Sequence, residues 1–415
     1  MKKEGYILIV SLWIVLVLFI ILTTINLAIF RQRRQVDYSY HREKALALAE
    51  SGVEAALCCL NEKNLKEPYP AVSGTIPDAG RFLAEIISLE DSTLAISSTG
   101  YSLGKGRIMA KKRLKVTLKQ ESPFDMAIFA ASDKGTGIRV ASHGRVHGDM
   151  GTNSTSISPP AVILGSHSEI DGKVYVGEGA TPDECIQVGP GVSPPVPLSE
   201  ALTEKRELPD VIRPSIPAYL HEEGDKTYQD EVQISYPSSF SSLTVKSGGK
   251  LTFSDGADFA YVKGDLFLTS HGQMVIDTDM VLFVEGDICL TAHGKITLRP
   301  GKKLTVYAGG NINIQAHGIV NEGGNASHLV IFGLEGCKSI LLTAHSDFFG
   351  AVYAKYAVVN LKAHSNVYGS IVADKIITEG QGAIFYDERL LDPDNFYIPP
   401  PSEGDFIISC WKEGD

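Results

Sequence analysis

The stretch LTAHGKITLRPGKKLTVYAGGNINIQAHGIV, residues 290–320, decides the fold because it contains one whole repeat. His293 and His317 stand in the same Ala-His-Gly setting, 24 residues apart. Between them, short runs of alternating apolar and polar residues are interrupted by glycine turns, which is typical of β-strands. The stretch therefore predicts β-structure in which each histidine turn is followed, one coil later, by another.

The histidine turn recurs along most of the chain. Of the 11 histidines, seven stand in the frame Ala/Ser-His-Gly/Ser: His143, His167, His271, His293, His317, His345 and His364. Their successive spacings are 24, 104, 22, 24, 28 and 19 residues. Repeats of roughly 20 to 50 residues are typical of solenoids. We therefore expect a mainly β protein built on a right-handed parallel β-helix, in which each coil stacks on the last and inward Val, Ile, Leu and Phe fill the bore.

Two roles are open to these histidines. Histidine tolerates positive φ better than most non-glycine residues, so it can form the turn, and stacked coils would place imidazoles about 4.8 Å apart. The alternative is a metal-binding row, because imidazole is a ligand for zinc, copper and nickel. Its candidates are His271, His293, His317, His345 and His364. Zinc requires ligands that converge, whereas a ladder offers them in a line. We favour the turn role and expect neither a metal nor a cofactor.

The N-terminal region contains a membrane segment. Residues 6–30, YILIVSLWIVLVLFIILTTINLAIF, carry no charge, and about 20 apolar residues span the hydrocarbon core as a helix. A secretory signal would have a shorter apolar region and a small-residue cleavage site. Two lysines precede the run and three arginines follow it, so a plain positive-inside count places the C-terminus in the cytoplasm.

The residues Lys2-Lys3-Glu4-Gly5, directly before the apolar run, resemble a type IV prepilin leader. The resemblance implies that a prepilin peptidase cuts after Gly5, that Tyr6 becomes the first residue, and that the rest of the chain is extracytoplasmic, against the charge count. Most pilins have a glutamate at the fifth mature position, where this chain has Val10. In this respect it is similar to the K-type minor pseudopilins of type II secretion systems. An ordinary signal-anchor helix is the alternative.

The helix is expected to continue beyond the membrane as a stem. Residues 31–60 contain no proline and a single glycine, and apolar residues recur there at three- and four-residue steps, which makes one helical stripe. We assign stem packing to Leu46, Ala49, Val53 and Leu57. The segment ALALAESGVEAAL, residues 45–57, resembles the stems of K-type pseudopilins and of the X-type minor pilins of type IV pili.

Residues 92–120 predict a β-hairpin after the stem. Leu114, Val116 and Leu118 alternate with polar and basic residues, so one face of the strand should be exposed to solvent. We place the turn at Ser98-Thr99-Gly100. A turn of this kind followed by a basic strand resembles the region after the stem in X-type minor pilins. The basic residues are expected to form a solvated strand face, with lipid headgroups or an acidic partner as the alternatives.

The C-terminal part resembles a poorly characterised β-helical domain found after pilin-like stems in bacterial envelope proteins. The resemblance is carried by Phe349–Ala354, Tyr368–Ala373 and Tyr386–Leu390, and by the opening motifs SPFDMAIFA (122–130) and GDMGTNS (148–154). These motifs are mainly glycines and aromatic residues. They imply the fold and leave the activity open.

The predicted organisation has five regions. They are a leader (1–5), a transmembrane and stem helix (6–64), a small α/β or β-hairpin region (65–121), the β-helix (122–390) with a proline-rich insertion near 181–217, and a tail (391–415). The insertion contains eight prolines and should be an extended surface loop that interrupts the repeats. In the tail, FIISCW could dock as an edge strand or engage a partner.

Composition limits the function. The net charge of −11 argues against nucleic-acid binding. Acidic residues of the coils lie mostly in Gly-Asp turns, at Asp149, Asp265 and Asp287, one per coil, whereas a hydrolase would need a pair. We therefore expect no enzyme. The six cysteines have no metal-binding spacing, and free thiols are favoured over a single bridge.

The sequence predicts a non-enzymatic minor pilin or pseudopilin, anchored by one span in the inner membrane. It would act in type IV pilus or type II secretion filament assembly, or as a tip adhesin. Its expected partners are other pilins or pseudopilins, the inner-membrane assembly platform, prepilin peptidase, and a glycan or other surface ligand. The alternative is a signal-anchored β-helical surface protein that binds glycan outside any filament.

Overall fold

The computed structural model describes residues 3–63, 71–88, 94–104, 106–120, 122–194, 198–316, 318–344, 346–362, 366–392 and 406–414. It confirms a mainly β protein with one long N-terminal helix and a parallel β-solenoid of about ten turns. The handedness of the solenoid stays a prediction. The chain forms two compact units, residues 1–120 with 405–415, and residues 121–404.

The first unit is a helix on a five-stranded antiparallel sheet with the order β1-β2-β3-β4-β32. Its elements are α1 (Lys3–Lys63), β1 (Val72–Ile76), β2 (Gly80–Ser88), β3 (Leu94–Gly104), β4 (Arg107–Gln120) and β32 (Phe406–Gly414). The predicted hairpin is confirmed as β3 and β4, and β32 pairs with β4 as the predicted edge strand. The second unit is therefore inserted in the sequence between two neighbouring strands of the first.

The predicted turn at Ser98-Thr99-Gly100 is wrong, because these residues lie inside β3. They are small because α1 crosses the sheet here. A Cβ on Gly100 would lie 2.0 Å from the Ala45 carbonyl oxygen, and one on Gly52 would lie 2.2 Å from Ser98 Oγ. Small residues in both elements thus allow the helix to lie directly on the sheet.

The second unit is built from short strands joined by tight turns. In chain order they are β5 (Ile128–Ala130), β6 (Ile138–Val140), β7 (Arg145–His147), β8 (Met150–Thr152), β9 (Val162–Leu164), β10 (Glu169–Ile170), β11 (Val174–Val176), α2 (Pro182–Cys185), β12 (Ile186–Val188), β13 (Ser199–Ala201), β14 (His221–Tyr228), β15 (Glu231–Ile234), β16 (Ser238–Val245), β17 (Lys250–Phe253), β18 (Phe259–Val262), β19 (Leu266–Leu268), β20 (Gln273–Ile276), β21 (Met280–Val284), β22 (Ile288–Leu290), β23 (Lys295–Leu298), β24 (Leu304–Ala308), β25 (Ile312–Ala316), β26 (Gly318–Asn321), β27 (Leu329–Gly333), β28 (Ser339–Ala344), β29 (Phe348–Leu361), β30 (Val367–Thr378) and β31 (Ala383–Tyr386), with two short 3-10 turns at Ala326–His328 and Glu388–Leu391.

Each coil contributes strands to three faces, and each strand pairs in parallel with its equivalents in the neighbouring coils. Face one contains β18, β21, β24 and β27, face two contains β19, β22, β25 and β28, and face three contains β17, β20, β23 and β26. Alternate side chains from all three faces meet in one apolar bore of mainly Val, Ile and Leu. The parallel ladders are the β-helix that the repeat predicts.

The coils do not stack in chain order throughout. From β14 to β31 each coil stacks on the last, but the next coil along the axis is the one formed by β5, β6 and β7. β30 pairs with β5 and β6, β31 pairs with β7, and the solenoid ends at β13. The expectation that every coil stacks on its predecessor is therefore wrong at one point, because the earliest coils in the sequence extend the far end.

Residues 202–220, which we call the strap, connect the two ends of the solenoid. On face one, β13 and β14 lie eleven strand steps apart, or about 53 Å at about 4.8 Å per step. The 20 residues from Ala201 to His221 cover about 62 Å when extended at about 3.1 Å each. The prediction of an extended loop near 181–217 is therefore wrong for its first half, where α2, β12 and β13 belong to the coils. It is correct for its second half, which is an extended segment that runs the length of the solenoid.

The strap covers a column of outward side chains on face one. Tyr261, Phe283, Tyr307, Phe332 and Tyr353 occupy equivalent positions in five successive strands. All are buried, although they point away from the bore, and the strap residues Leu208, Val211 and Leu220 pack against this column. The expectation that phenylalanines fill the bore is correct for Phe240 and Phe253 and wrong for the face-one column.

Candidate functional site

From Leu16 to Phe30 every side chain of α1 is exposed, and most are apolar. Side chains such as Trp13, Phe19 and Leu22 are more than half exposed, and no charge interrupts the helix from Tyr6 to Phe30. By its length and composition α1 could cross a membrane. Gly5 and Tyr6 lie within this helix, but their side chains lie outside the described residues, and cleavage between them stays a prediction.

The second half of α1 packs on its own sheet. Of the four residues assigned to stem packing, Ala49 and Val53 are fully buried in a cluster with Ile96, Val116 and Leu118. Leu46 and Leu57 are only half-buried. The chain therefore uses Ala49 and Val53 to hold its own sheet, and Leu57 packs at the edge of the same cluster. Part of the Leu46 and Leu57 side chains stays accessible.

Four of the seven repeated histidines are described, and all four have the positive φ expected of a turn residue. The φ values are 63° at His143, 60° at His167 and 66° at both His271 and His293. Each stands between a face-two strand and a face-three strand. The rings of His143 and His167 stack at 5.1 Å, and those of His271 and His293 at 4.8 Å. The predicted turn role and stacking are confirmed for these two pairs.

His317, His345 and His364, the remaining metal candidates, lie outside the described residues. Within the part of the chain that is described, no three His, Cys, Asp or Glu side chains converge on a common point. The described imidazoles are exposed, and stacking places them face to face along the axis. Such an arrangement differs from the converging ligands that zinc requires.

The carboxylates of the turns accept hydrogen bonds from the backbone of the next coil. Asp265 Oδ1 accepts from Asp287 N at 2.8 Å, and Asp287 Oδ1 accepts from Asn311 N at 2.7 Å. Asp149 accepts from Lys173 N and Asp279 from Lys303 N in the same way. These acids cap amides that the turns would otherwise leave unpaired, which is a structural use of the side chain.

The residues that fix the strap are not predictable from the sequence pattern. Arg206 forms an ion pair with Asp125 at 2.6 Å, lies over the ring of Phe129, and exchanges backbone hydrogen bonds with the Asn153 side chain. Further along the strap, Arg213 pairs with Glu285 and lies over Phe283. The prolines signalled an extended segment, but nothing in the local sequence identifies partners this far away.

A polar cluster anchors the middle of the strap. Lys355 Nζ contacts Asp210 Oδ1 at 2.6 Å, and the Tyr356 hydroxyl donates to the same carboxylate. These two hydrogen bonds hold the pKa of Asp210 below its usual value, and the bond to Asp210, together with burial, raises the pKa of Tyr356 to about 12. Burial also raises the pKa of Tyr353, whose hydroxyl donates to the Pro209 carbonyl at 2.6 Å. Around neutral pH, Asp210 therefore stays ionised while Tyr356 and Tyr353 stay protonated, so all of these hydrogen bonds are kept.

Part of the solenoid matches a known family of protein domains. Residues 212–392 match the family model described as "Domain of unknown function (DUF7305)", which spans the coils from β14 to β31 and less than half of the chain. Among solved structures, the chain is similar to the competence-associated pilin ComZ from Thermus thermophilus. The identity is 12%, the match covers 89% of this chain and 97% of that chain, and the TM-score is 0.22. So low a TM-score supports no conclusion about fold or function. No curated protein matches the chain.

Proposed function

We propose that this chain is a non-enzymatic, pilin-like subunit of the cell envelope, anchored by α1 in the inner membrane with the solenoid outside it. The observation that supports this most directly is the continuous helix Lys3–Lys63, which is exposed and largely apolar from Leu16 to Phe30 and whose second half packs on an antiparallel sheet. A helix divided in this way has the shape of a pilin stem, and the leader-like residues before it agree with that assignment.

In this role the chain would be a minor pilin or pseudopilin of a type IV pilus or a type II secretion filament. Its stem would pack among those of other subunits above the assembly platform, with the accessible parts of the Leu46 and Leu57 side chains at the contact. The solenoid would be a rigid adhesive, priming or capping head. The engagement of Asp149, Asp265 and Asp287 with backbone amides supports a head without catalytic carboxylates.

The decisive experiment measures the mass of the N-terminal peptide of the protein isolated from its native membranes. A mature chain that begins at Tyr6 is expected, and Gly5→Val should block the cut. Ser11→Ala, a conservative change in the same segment but past the cleavage site, should be cut normally and serves as the control. If the uncut leader persists in the unaltered protein, the filament role loses its support, and an anchored β-helical protein that binds glycan becomes the better explanation.

A further inference from the structure

The outer face of the first unit's sheet is basic in a protein that is otherwise acidic. Residues 92–120 contain seven Lys or Arg and no Asp or Glu. The first unit as a whole has 18 Lys or Arg against 14 Asp or Glu, whereas the second unit has 20 against 35. Net positive charge is thus confined to the unit that carries the membrane helix.

The hairpin of β3 and β4 ends on the side of the sheet that is nearest to the membrane segment. β3 runs back along α1, so Gly100 lies against Ala45, and Ser102 Oγ is 2.8 Å from His41 Nδ1. A Cβ on Gly104, the last residue of β3, would lie 3.4 Å from the His41 ring. Lys44 Nζ donates to the Asp78 carbonyl, which places the turn after β1 at the same end.

The tip of this hairpin combines positive charge with exposed apolar side chains. Ile108 is 51% and Met109 46% exposed, and Arg107 and Lys111 beside them are also exposed. Within the described part of the chain, neither of these two cations has a carboxylate partner. Basic side chains next to exposed apolar ones suit the surface of an anionic bilayer, where charge attracts the headgroups and apolar groups enter the interface.

The distance from the membrane permits such a contact. His41 lies 11 residues beyond Phe30, or about 16 Å along the helix, and the headgroup layer is about 5 to 7 Å thick. The uncharged run of 25 residues is about 37 Å long, against a hydrocarbon thickness of about 30 Å, so the helix is expected to tilt. A tilt toward the sheet lowers the hairpin tip to the headgroups, and long basic side chains bridge the remaining gap.

We propose that the β3–β4 tip, with Arg107, Ile108, Met109 and Lys111, docks on the anionic lipid headgroups of the leaflet from which α1 emerges. This inference rests on the proposed membrane anchoring of α1. The contact sets the direction in which the helix tilts and holds the first unit against the membrane surface. Arg113 and Lys115 continue the basic face away from the tip, where screening weakens the attraction over about 8 to 10 Å.

Lysine acylation footprinting on the full-length protein tests the proposal. The chain is reconstituted into vesicles of phosphatidylcholine alone or mixed with phosphatidylglycerol, and flotation first establishes anchoring. In the mixed vesicles Lys111 should react about tenfold more slowly than in the neutral ones, since each cation is attracted to an anionic surface. Lys115, four residues along the same strand, should change much less. Arg107→Glu should restore the reactivity of Lys111, and the matched reversal Arg113→Glu should not.

The outcomes separate the two proposals. Flotation in both lipids with selective protection of Lys111 supports the docking. Flotation without any difference between Lys111 and Lys115 overturns the docking and leaves the anchor intact. A chain that does not float overturns both. Unchanged flotation and unchanged Lys115 reactivity in Arg107→Glu show that this variant is folded.

Discussion

At the scale of single residues, the histidine turns show how a side chain can be repeated for its backbone conformation. Ala292 and His293 both have positive φ, at 46° and 66°, in the turn between β22 and β23. The glycine that follows is also required, because a Cβ on Gly294 would lie 2.1 Å from the Leu268 carbonyl oxygen of the preceding coil. The Ala-His-Gly motif thus encodes a left-handed turn followed by a close approach between coils.

The turn role predicts a specific order among substitutions at His293. Valine at a positive φ should lower the free energy of unfolding by about 1 to 2 kcal/mol, because its branched side chain is crowded in the left-handed region. Asparagine tolerates that region, so His293→Asn should cost only a few tenths of a kcal/mol. Urea unfolding of the full-length protein in detergent measures both. If His293→Asn destabilised as much as His293→Val, the imidazole itself, through stacking or a ligand, would be what the turn needs.

This turn is also the part of the site that the sequence predicts best. Positive φ and a ring spacing near 4.8 Å follow from the residue type and from the strand spacing. In contrast, Ser98-Thr99-Gly100 predicts a turn by residue type, because small polar residues favour turns. Its small residues serve helix packing instead, a tertiary requirement that leaves the same local signature.

At the scale of elements, the strap converts an outward face of the solenoid into a second core. In a solenoid without a covering segment, the outward side chains of face one would be exposed to solvent. Here Phe332 is 1% exposed under the strap, whereas Phe267, outward on the uncovered face two, is 39% exposed. The sequence could predict an extended segment from its prolines, but not its course, because its anchors lie far away: Leu208 and Lys355, for example, are 147 positions apart.

The pair of phenylalanines offers a matched test of the strap. Phe332→Ala should lower the free energy of unfolding by about 3 to 5 kcal/mol, because it leaves a cavity between the strap and face one. Phe267→Ala removes the same atoms from an uncovered face and should cost less than about 1 kcal/mol. Thermal and urea unfolding of the two variants provide the comparison. Similar losses in both would mean that the strap does not cover the column in solution.

At the scale of the whole molecule, the second unit is an insertion whose two ends meet. Phe406 of β32 pairs with Gln120 of β4, although 285 residues separate them. Within the second unit, Ser122 Oγ donates to the Leu390 carbonyl at 2.6 Å, so the chain enters and leaves the solenoid at one place. Repeat spacing predicts coils but not this arrangement, since the early coils have the same pattern as the others and would fit at either end. The long strap and the adjacent ends are what fix the order.

The axial order predicts different behaviour for two fragments of the second unit. The fragment 122–392 retains every coil and should fold as a monomer with one cooperative thermal transition. The fragment 203–392 keeps strap residues 203–220 but lacks β5 to β13, so β30 and β31 become an open edge with unpaired backbone groups and exposed bore residues. Such an edge pairs readily with other chains.

We therefore expect 203–392 to self-associate and to melt at a lower temperature than 122–392. Light scattering measures the association and circular dichroism the melting. A charge introduced on the new edge provides the control: Ile371→Lys in 203–392 should suppress association, while leaving its strand content unchanged, because an inward-pointing charge blocks edge pairing. A monomeric 203–392 with the melting temperature of 122–392 would mean that the early coils do not stack on β30 and β31. They would then form a separate stack, and the strap would be an ordinary linker between two solenoids.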